Sequence, residues 1–353
     1  MTILFLILFA IGVLFVFLED FLDERSKSIC YVIMCVLMIL LPATKSVIDT
    51  PDAMSYEDMF YGTNTIVELM TEPSFLLISN ILKNSGYTIT ALFAIYATIN
   101  IGIKGSWIYK MTPFPILTLF IYLSYLYILH DLIQIRVGAA LAFGLVSLYN
   151  YCNDRKWGSL VFIAIAVFFH HSAILLVLFF LFDNKPLTLK WKIALYCIVP
   201  FGLLLCVMRL NLLSLIPTFV GGEKIDLYKD LAENGKMDDA SLLNPILWIK
   251  ILAYLTSLWF YDFLRDKNQY LSLFIKLMGL SILIELSLLY TNAVMAYRLS
   301  ELFNIVDPFV ITTLVYLFNP SWLGRSIIVF VSYNHQIDTF FNIKFGIKNY
   351  LTF

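Results

Sequence analysis

Long apolar runs recur along the chain with short polar breaks between them. A helix needs about 20 mostly apolar residues to cross a bilayer. Stretches near that length fall at 2–18, 29–43, 87–103, 114–130, 136–152, 193–209, 246–262, 270–290 and 298–318. No soluble-domain composition interrupts them, and no internal repeat or low-complexity tract is visible. The first run has neither a basic leader nor a clear small-residue cleavage site, so it is expected to stay as a transmembrane helix. A further apolar stretch, 158–182, breaks the pattern, because His170 and His171 sit at its centre.

The polar breaks carry a side preference. Lys and Arg concentrate in "IKGSWIYKM" (Lys104, Lys110), "NDRKW" (Arg155, Lys156), "DNKPLTLKWK" (Lys185, Lys190, Lys192) and "RDKNQ" (Arg265, Lys267). These are expected on the cytoplasmic side. Two longer segments are acidic and are expected outside. Residues 44–86 carry Asp49, Asp52, Glu57, Asp58, Glu68 and Glu72, and residues 210–245 carry Glu223, Asp226, Asp230, Glu233, Asp238 and Asp239.

Because 158–182 lies between two basic breaks, it has to leave and regain the same side. As one helix it would be ~37 Å long, and as two arms ~18 Å each. Charge bias predicts a re-entrant hairpin bent at the histidines. Irregular backbone at membrane depth survives only where it is buried in protein or lines a wet cavity. Residues 1–353 are thus read as a single integral membrane domain with two external loops and one hairpin.

Composition removes other classes. The chain is 60% hydrophobic and 14% charged, with a mean hydropathy of +0.84, whereas soluble domains carry roughly a quarter charged residues. A net charge of -1 without a basic patch excludes nucleic acid as a partner. Cys30, Cys35, Cys152, Cys197 and Cys206 form no C-x-x-C and read as small buried hydrophobes. Four histidines without a helical H-x3-H pair suggest no metal cage. No phosphate-binding glycine loop, H-E-x-x-H or G-x-S-x-G occurs, and no cofactor is expected.

Ionisable residues inside spans are functional suspects by default. Asp131 and Arg136 flank the turn in "LHDLIQIRVG", and Glu285 lies within "LSILIELSLLY". Tyr297, Arg298 and Glu301 fall in "AVMAYRLSELF", followed by Asp307, while Lys250 begins another span. Plainer roles compete. Arg136, Arg298 and above all Lys250 can snorkel to an interface. Glu285 and Arg298 can form a structural ion pair, and Asp307 can cap a helix break before Pro308.

Two arginines and a histidine facing an external cavity suit phosphate or pyrophosphate, through guanidinium forks and a titratable imidazole. The stretch "IDTPDAMSYEDMFYG" adds Asp52, Tyr56 and Tyr61, a carboxylate with aromatic faces that suits a sugar. His130 stands alone at a span end. The tail, with "SIIVFVSY" too short to span and "NIKFGIKNYLTF" basic and aromatic, is expected at an interface.

Four short motifs then line up: "DAMSY" (Asp52–Tyr56), "IRVGAALA" (Ile135–Ala142), "FHHSAIL" (Phe169–Leu175) and "YRLSELF" (Tyr297–Phe303). In order, spacing and hydropathy the chain resembles the EpsG family of bacterial polysaccharide polymerases, which includes many Wzy-type O-antigen polymerases. It departs from the family at Val137, where Gln is common, and at Ala53, where an aromatic is usual. His170 aligns with the family histidine, and His171 falls at a variable position.

The resemblance, with the hydropathy, implies an all-α polytopic membrane protein of about 10–12 transmembrane or re-entrant helices, a GT-C-like integral membrane glycosyltransferase. It further implies an O-antigen or exopolysaccharide polymerase of the bacterial inner membrane, its active site facing the periplasm. The growing glycan passes from undecaprenyl pyrophosphate to a new lipid-linked repeat unit. Arg136 and Arg298 are then the catalytic candidates for charge on the departing pyrophosphate, and His170 for the acceptor-hydroxyl proton. Asp52, Tyr56, Asp131, Glu285, Tyr297 and Glu301 are the substrate-binding candidates.

The partners implied are the undecaprenyl-pyrophosphate-linked oligosaccharide, the lipid membrane and a chain-length regulator protein. The rivals are an O-antigen ligase, a flippase or transporter of lipid-linked oligosaccharide, and a membrane O-acetyltransferase. A basic external loop would favour the ligase, and internal repeats the flippase.

Overall fold

A backbone in hydrocarbon has no water to bond, so apolar runs of this length close their hydrogen bonds internally as helix. The computed structural model describes residues 2–46, 50–62, 71–209, 242–290 and 292–345. It is 82% helical with no strands among the described residues. By length and composition, five helices suffice to cross a membrane, and a bent pair makes a sixth. The protein is therefore an all-α polytopic membrane protein.

Two compact units divide the chain. One holds the described residues up to Val177 together with Phe318–Phe345, and the other those of Leu178–Leu317. The first unit contains α1 (Thr2–Leu18), α2 (Glu24–Ala43), α3 (Pro51–Tyr61), α4 (Pro73–Asn84), α5 (Ile89–Met111) and α6 (Pro115–Tyr125). A π-helical turn (Ile128–Ile133), α7 (Ile135–Cys152), α8 (Lys156–Phe169) and the C-terminal helix (Ser321–Phe345) complete it. Pro51, Pro73 and Pro115 start their helices, where a missing N–H costs nothing. Gly62, at φ 71°, ends α3 in the left-handed conformation that glycine adopts freely. The expected external segment 44–86 is thus largely helical where it is described.

Long helices that follow one another in the chain alternate in direction within this unit, so that α5 and α7 run parallel. Tyr31, near the start of α2, donates to the Gly105 carbonyl late in α5, and Trp107 of α5 meets Tyr149 near the end of α7. Glu19, just past α1, accepts from Ile116 and Leu117 N–H at the start of α6. One end of the unit therefore gathers Arg25, Lys27, Lys110, Arg155 and Lys156. The other gathers α3, α4, the π turn, the start of α7 and the end of α8.

One expectation changes in this unit. Lys104 is not in a polar break, because α5 continues to Met111 and buries it completely. Ser321–Phe345 form one 25-residue helix, which takes in "SIIVFVSY". Its Arg325 is buried against Glu19 and Asp20 at 2.8 and 2.5 Å, a pairing that fixes the start of this helix beside α1.

A 3-10 helix (His171–Leu181) runs across the boundary between the units. The second unit continues with α9 (Leu189–Met208), α10 (Pro245–Trp259), α11 (Tyr261–Arg265), α12 (Leu271–Leu288), α13 (Ala293–Ser300) and α14 (Asp307–Thr313). Thr188, Asn244 and Asn292 cap α9, α10 and α13 with side-chain oxygens. Most of α12 is buried, so it forms the axis of this unit. The span expected at 298–318 is broken: α13 and the segment Asn304–Leu317 meet at 48°. Most of the acidic segment 210–245 lies outside the described residues.

Candidate functional site

Glu72 precedes Pro73 and caps α4 in extended conformation, φ -64° and ψ 144°. That places its carboxylate between two other chain segments. Arg136, in the first turn of α7, donates from Nη1 to Oε2. The His170 ring, at the end of α8, brings Nδ1 to 2.7 Å from Oε1. His170 ends its helix because its backbone turns extended, φ -157° and ψ 122°. The break swings the imidazole onto Glu72 in place of another helical turn.

Aromatic rings frame this trio. The Arg136 guanidinium carbon lies 5.4 Å from the Tyr56 ring centre and 5.7 Å from that of Phe75, close enough for cation–π attraction. Those two rings stack at 5.9 Å, and Tyr96 meets Phe169 edge-on at 6.0 Å. The Glu72 side chain is 1% exposed, whereas those of Arg136 and His170 each keep 20%. The carboxylate is an internal hinge, and its two partners reach outward.

Burial alone would push the Glu72 carboxyl up. The His170 hydrogen bond and the Arg136 charge outweigh it and hold the group at about 2. Burial pushes the Tyr56 phenol up to about 12 against the opposing pull of Arg136. With a carboxylate on Nδ1, that nitrogen of a neutral ring carries the proton, and Nε2 is left as the acceptor. Carboxylate, imidazole and guanidinium so arranged can take a proton and hold the resulting charge.

The remaining sequence candidates divide. Asp52 is half-buried on α3, one turn before Tyr56. Asp131 does not join them: it is wholly buried, with Lys104 and Tyr122 on its carboxylate. In the second unit Glu285 pairs with Lys250 at 3.3 Å. Lys250 also donates to Ser281 and Asn304 at 2.6 and 2.7 Å and lies 3.9 Å from Asp307. The lysine is thus held inside the unit and does not snorkel. Tyr297 and Arg298 are half-buried on α13, and Glu301 is buried just beyond it.

Glu72 was legible from sequence only as one acid in an acidic loop. The sharper signal was its place directly before a proline that opens an apolar helix. Among the described residues no three of His, Cys, Asp and Glu gather as metal ligands would.

Fold and site together define a multi-pass helical membrane protein with a buried carboxylate joining an arginine to a histidine. The EpsG family profile matches residues 28–350, nearly the whole chain, and the protein belongs to that family, which is polysaccharide polymerase-like. No curated protein and no solved structure gives a match.

Proposed function

We propose that this protein is an O-antigen or exopolysaccharide polymerase that moves a growing glycan from undecaprenyl pyrophosphate to a new lipid-linked repeat unit. The observation that carries the reading is the Glu72 bridge between Arg136 and His170. His170 Nε2 accepts the proton of the acceptor hydroxyl, and the hydroxyl oxygen attacks the anomeric carbon of the donor. The bond from that carbon to the pyrophosphate oxygen breaks, and its electron pair leaves with the lipid pyrophosphate. Glu72 holds the imidazole in the required tautomer and balances the imidazolium that forms. Arg136, one-fifth exposed, offers positive charge to the departing phosphate.

Arg298 is proposed as a further phosphate-binding residue, and Asp52, Tyr56, Tyr297 and Glu301 as contacts to sugar or carrier. Within the first unit the trio lies at the end opposite the basic breaks. That supports a catalytic face toward the periplasm of a bacterial inner membrane. The helix break at His170 supports the re-entrant hairpin. So does Leu176, six residues on, packed against Gly144 midway along α7.

The test replaces Glu72, Arg136, His170 and Arg298 individually with Ala in cells that make the glycan. Unextended single repeat units should accumulate while the membrane level of each variant stays normal. Full-length glycan ladders from all the variants would sink the assignment.

A further inference from the structure

The π-helical turn Ile128–Ile133 stands directly before the helix that carries Arg136. A π turn is wider than an α turn, rare, and in need of outside support for its displaced backbone groups. Here the support comes from three helices or their ends. Lys104 of α5 donates to Asp131 Oδ1 at 2.8 Å and to the Tyr122 hydroxyl at 2.7 Å. Tyr122 of α6 donates to Asp131 Oδ2. Lys45, beyond the end of α2, donates to the Leu132 carbonyl at 2.5 Å. Asn100 of α5 donates to the Ile135 carbonyl at 3.2 Å. Gln134 then turns the chain at φ -91° and ψ 62°, and Arg136 follows two residues later.

Lys104, Tyr122 and Asp131 are each wholly buried. A buried ion pair gains little over apolar side chains of similar volume, because desolvation offsets the attraction. Stability alone is therefore a poor reason for this triangle. Direction is a better one: three hydrogen bonds among fixed helices admit a single rotation of the π turn, which apolar packing would leave loose.

We infer that Lys104, Tyr122 and Asp131 are positioning residues that act through the π turn to hold Arg136 on Glu72. None of the three needs to touch substrate. The inference rests on the proposed glycan transfer, in which Arg136 and Glu72 take part. A displacement near 1 Å at a catalytic group costs about a hundredfold in rate, so a loosened turn is expected to show in catalysis before it shows in stability.

The experiment uses the purified full-length protein and the lipid-linked repeat unit isolated from cells that lack the polymerase. In one variant Lys104→Met, Tyr122→Phe and Asp131→Leu are combined, so that no charge is left unpaired. Its melting temperature should equal or exceed that of the wild type. Its kcat should fall about tenfold or more at unchanged KM, and residues 128–138 should exchange amide hydrogens faster. Wild-type kcat in this stable variant overturns the inference.

If the triple variant does not fold, Tyr122→Phe alone is compared in the wild-type and Arg136→Lys backgrounds. Its effect should shrink to less than about twofold when Arg136 is already changed. An equal effect in both backgrounds overturns the inference, as does unchanged exchange at 128–138 if Arg136→Lys is inactive. Failure of the underlying reading looks different: Arg136→Lys and His170→Ala would both elongate at the wild-type rate.

Discussion

Glu72 shows how much one carboxylate does when it is buried between two partners. Its value of about 2, against 4.5 for an ordinary glutamate, means that the folded state prefers the ionised form. A group depressed in the folded state contributes stability that is fully present above the unfolded value. That contribution is lost as pH falls through the folded one, here between 4.5 and about 2. The full contribution is about 3 kcal/mol. Glu72→Gln removes it, so the variant should melt well below the wild type at neutral pH, and the gap should close as pH drops toward 2. A gap that stays constant over that window would show that the carboxylate charge is not what holds the trio. At neutral pH the same variant leaves His170 without its anionic partner and should lower glycan elongation by about a hundredfold or more.

At the scale of elements, two irregularities build the site. α8 stops at His170 before a 3-10 helix begins, and a π turn stands between α6 and the reversed α7. Each spends regular hydrogen bonding to aim a side chain. Gly138 makes the second possible, since a Cβ there would press into the His130 carbonyl and lie 2.5 Å from Asn100 Nδ2. Backbone cannot give way as a flexible side chain can. Gly138→Ala should therefore cost about 1–3 kcal/mol and shift the start of α7. Thermal melts of the purified variant check the first effect and elongation rates the second. An unchanged melting temperature would mean that the π turn is softer than its hydrogen bonds imply.

For the whole molecule, sidedness decides which compartment the site faces. The hairpin reading puts "DNKPLTLKWK" and "RDKNQ" on one face. In a background without the native cysteines, Lys185→Cys and Lys267→Cys should react with a membrane-impermeant thiol reagent only after the inner membrane is permeabilised. Labelling of either in intact spheroplasts would reject that topology.

The apolar runs gave the helices, and most boundaries fell within a few residues, because both length and hydropathy are local properties. Lys104 reads as part of a polar break and Lys250 as a side chain able to snorkel, because a lysine usually marks water nearby. Each is instead satisfied inside the protein, by Asp131 and Tyr122 or by Glu285, Ser281 and Asn304.

By itself, then, the sequence determined that this is a multi-pass helical membrane protein of the EpsG family, and it singled out Arg136 and His170 through short motifs. Only the tertiary structure decided that Glu72 joins them. The carboxylate lies 64 residues from Arg136 and 98 from His170. No local pattern encodes such a pairing, which follows from the way α4, α7 and α8 pack.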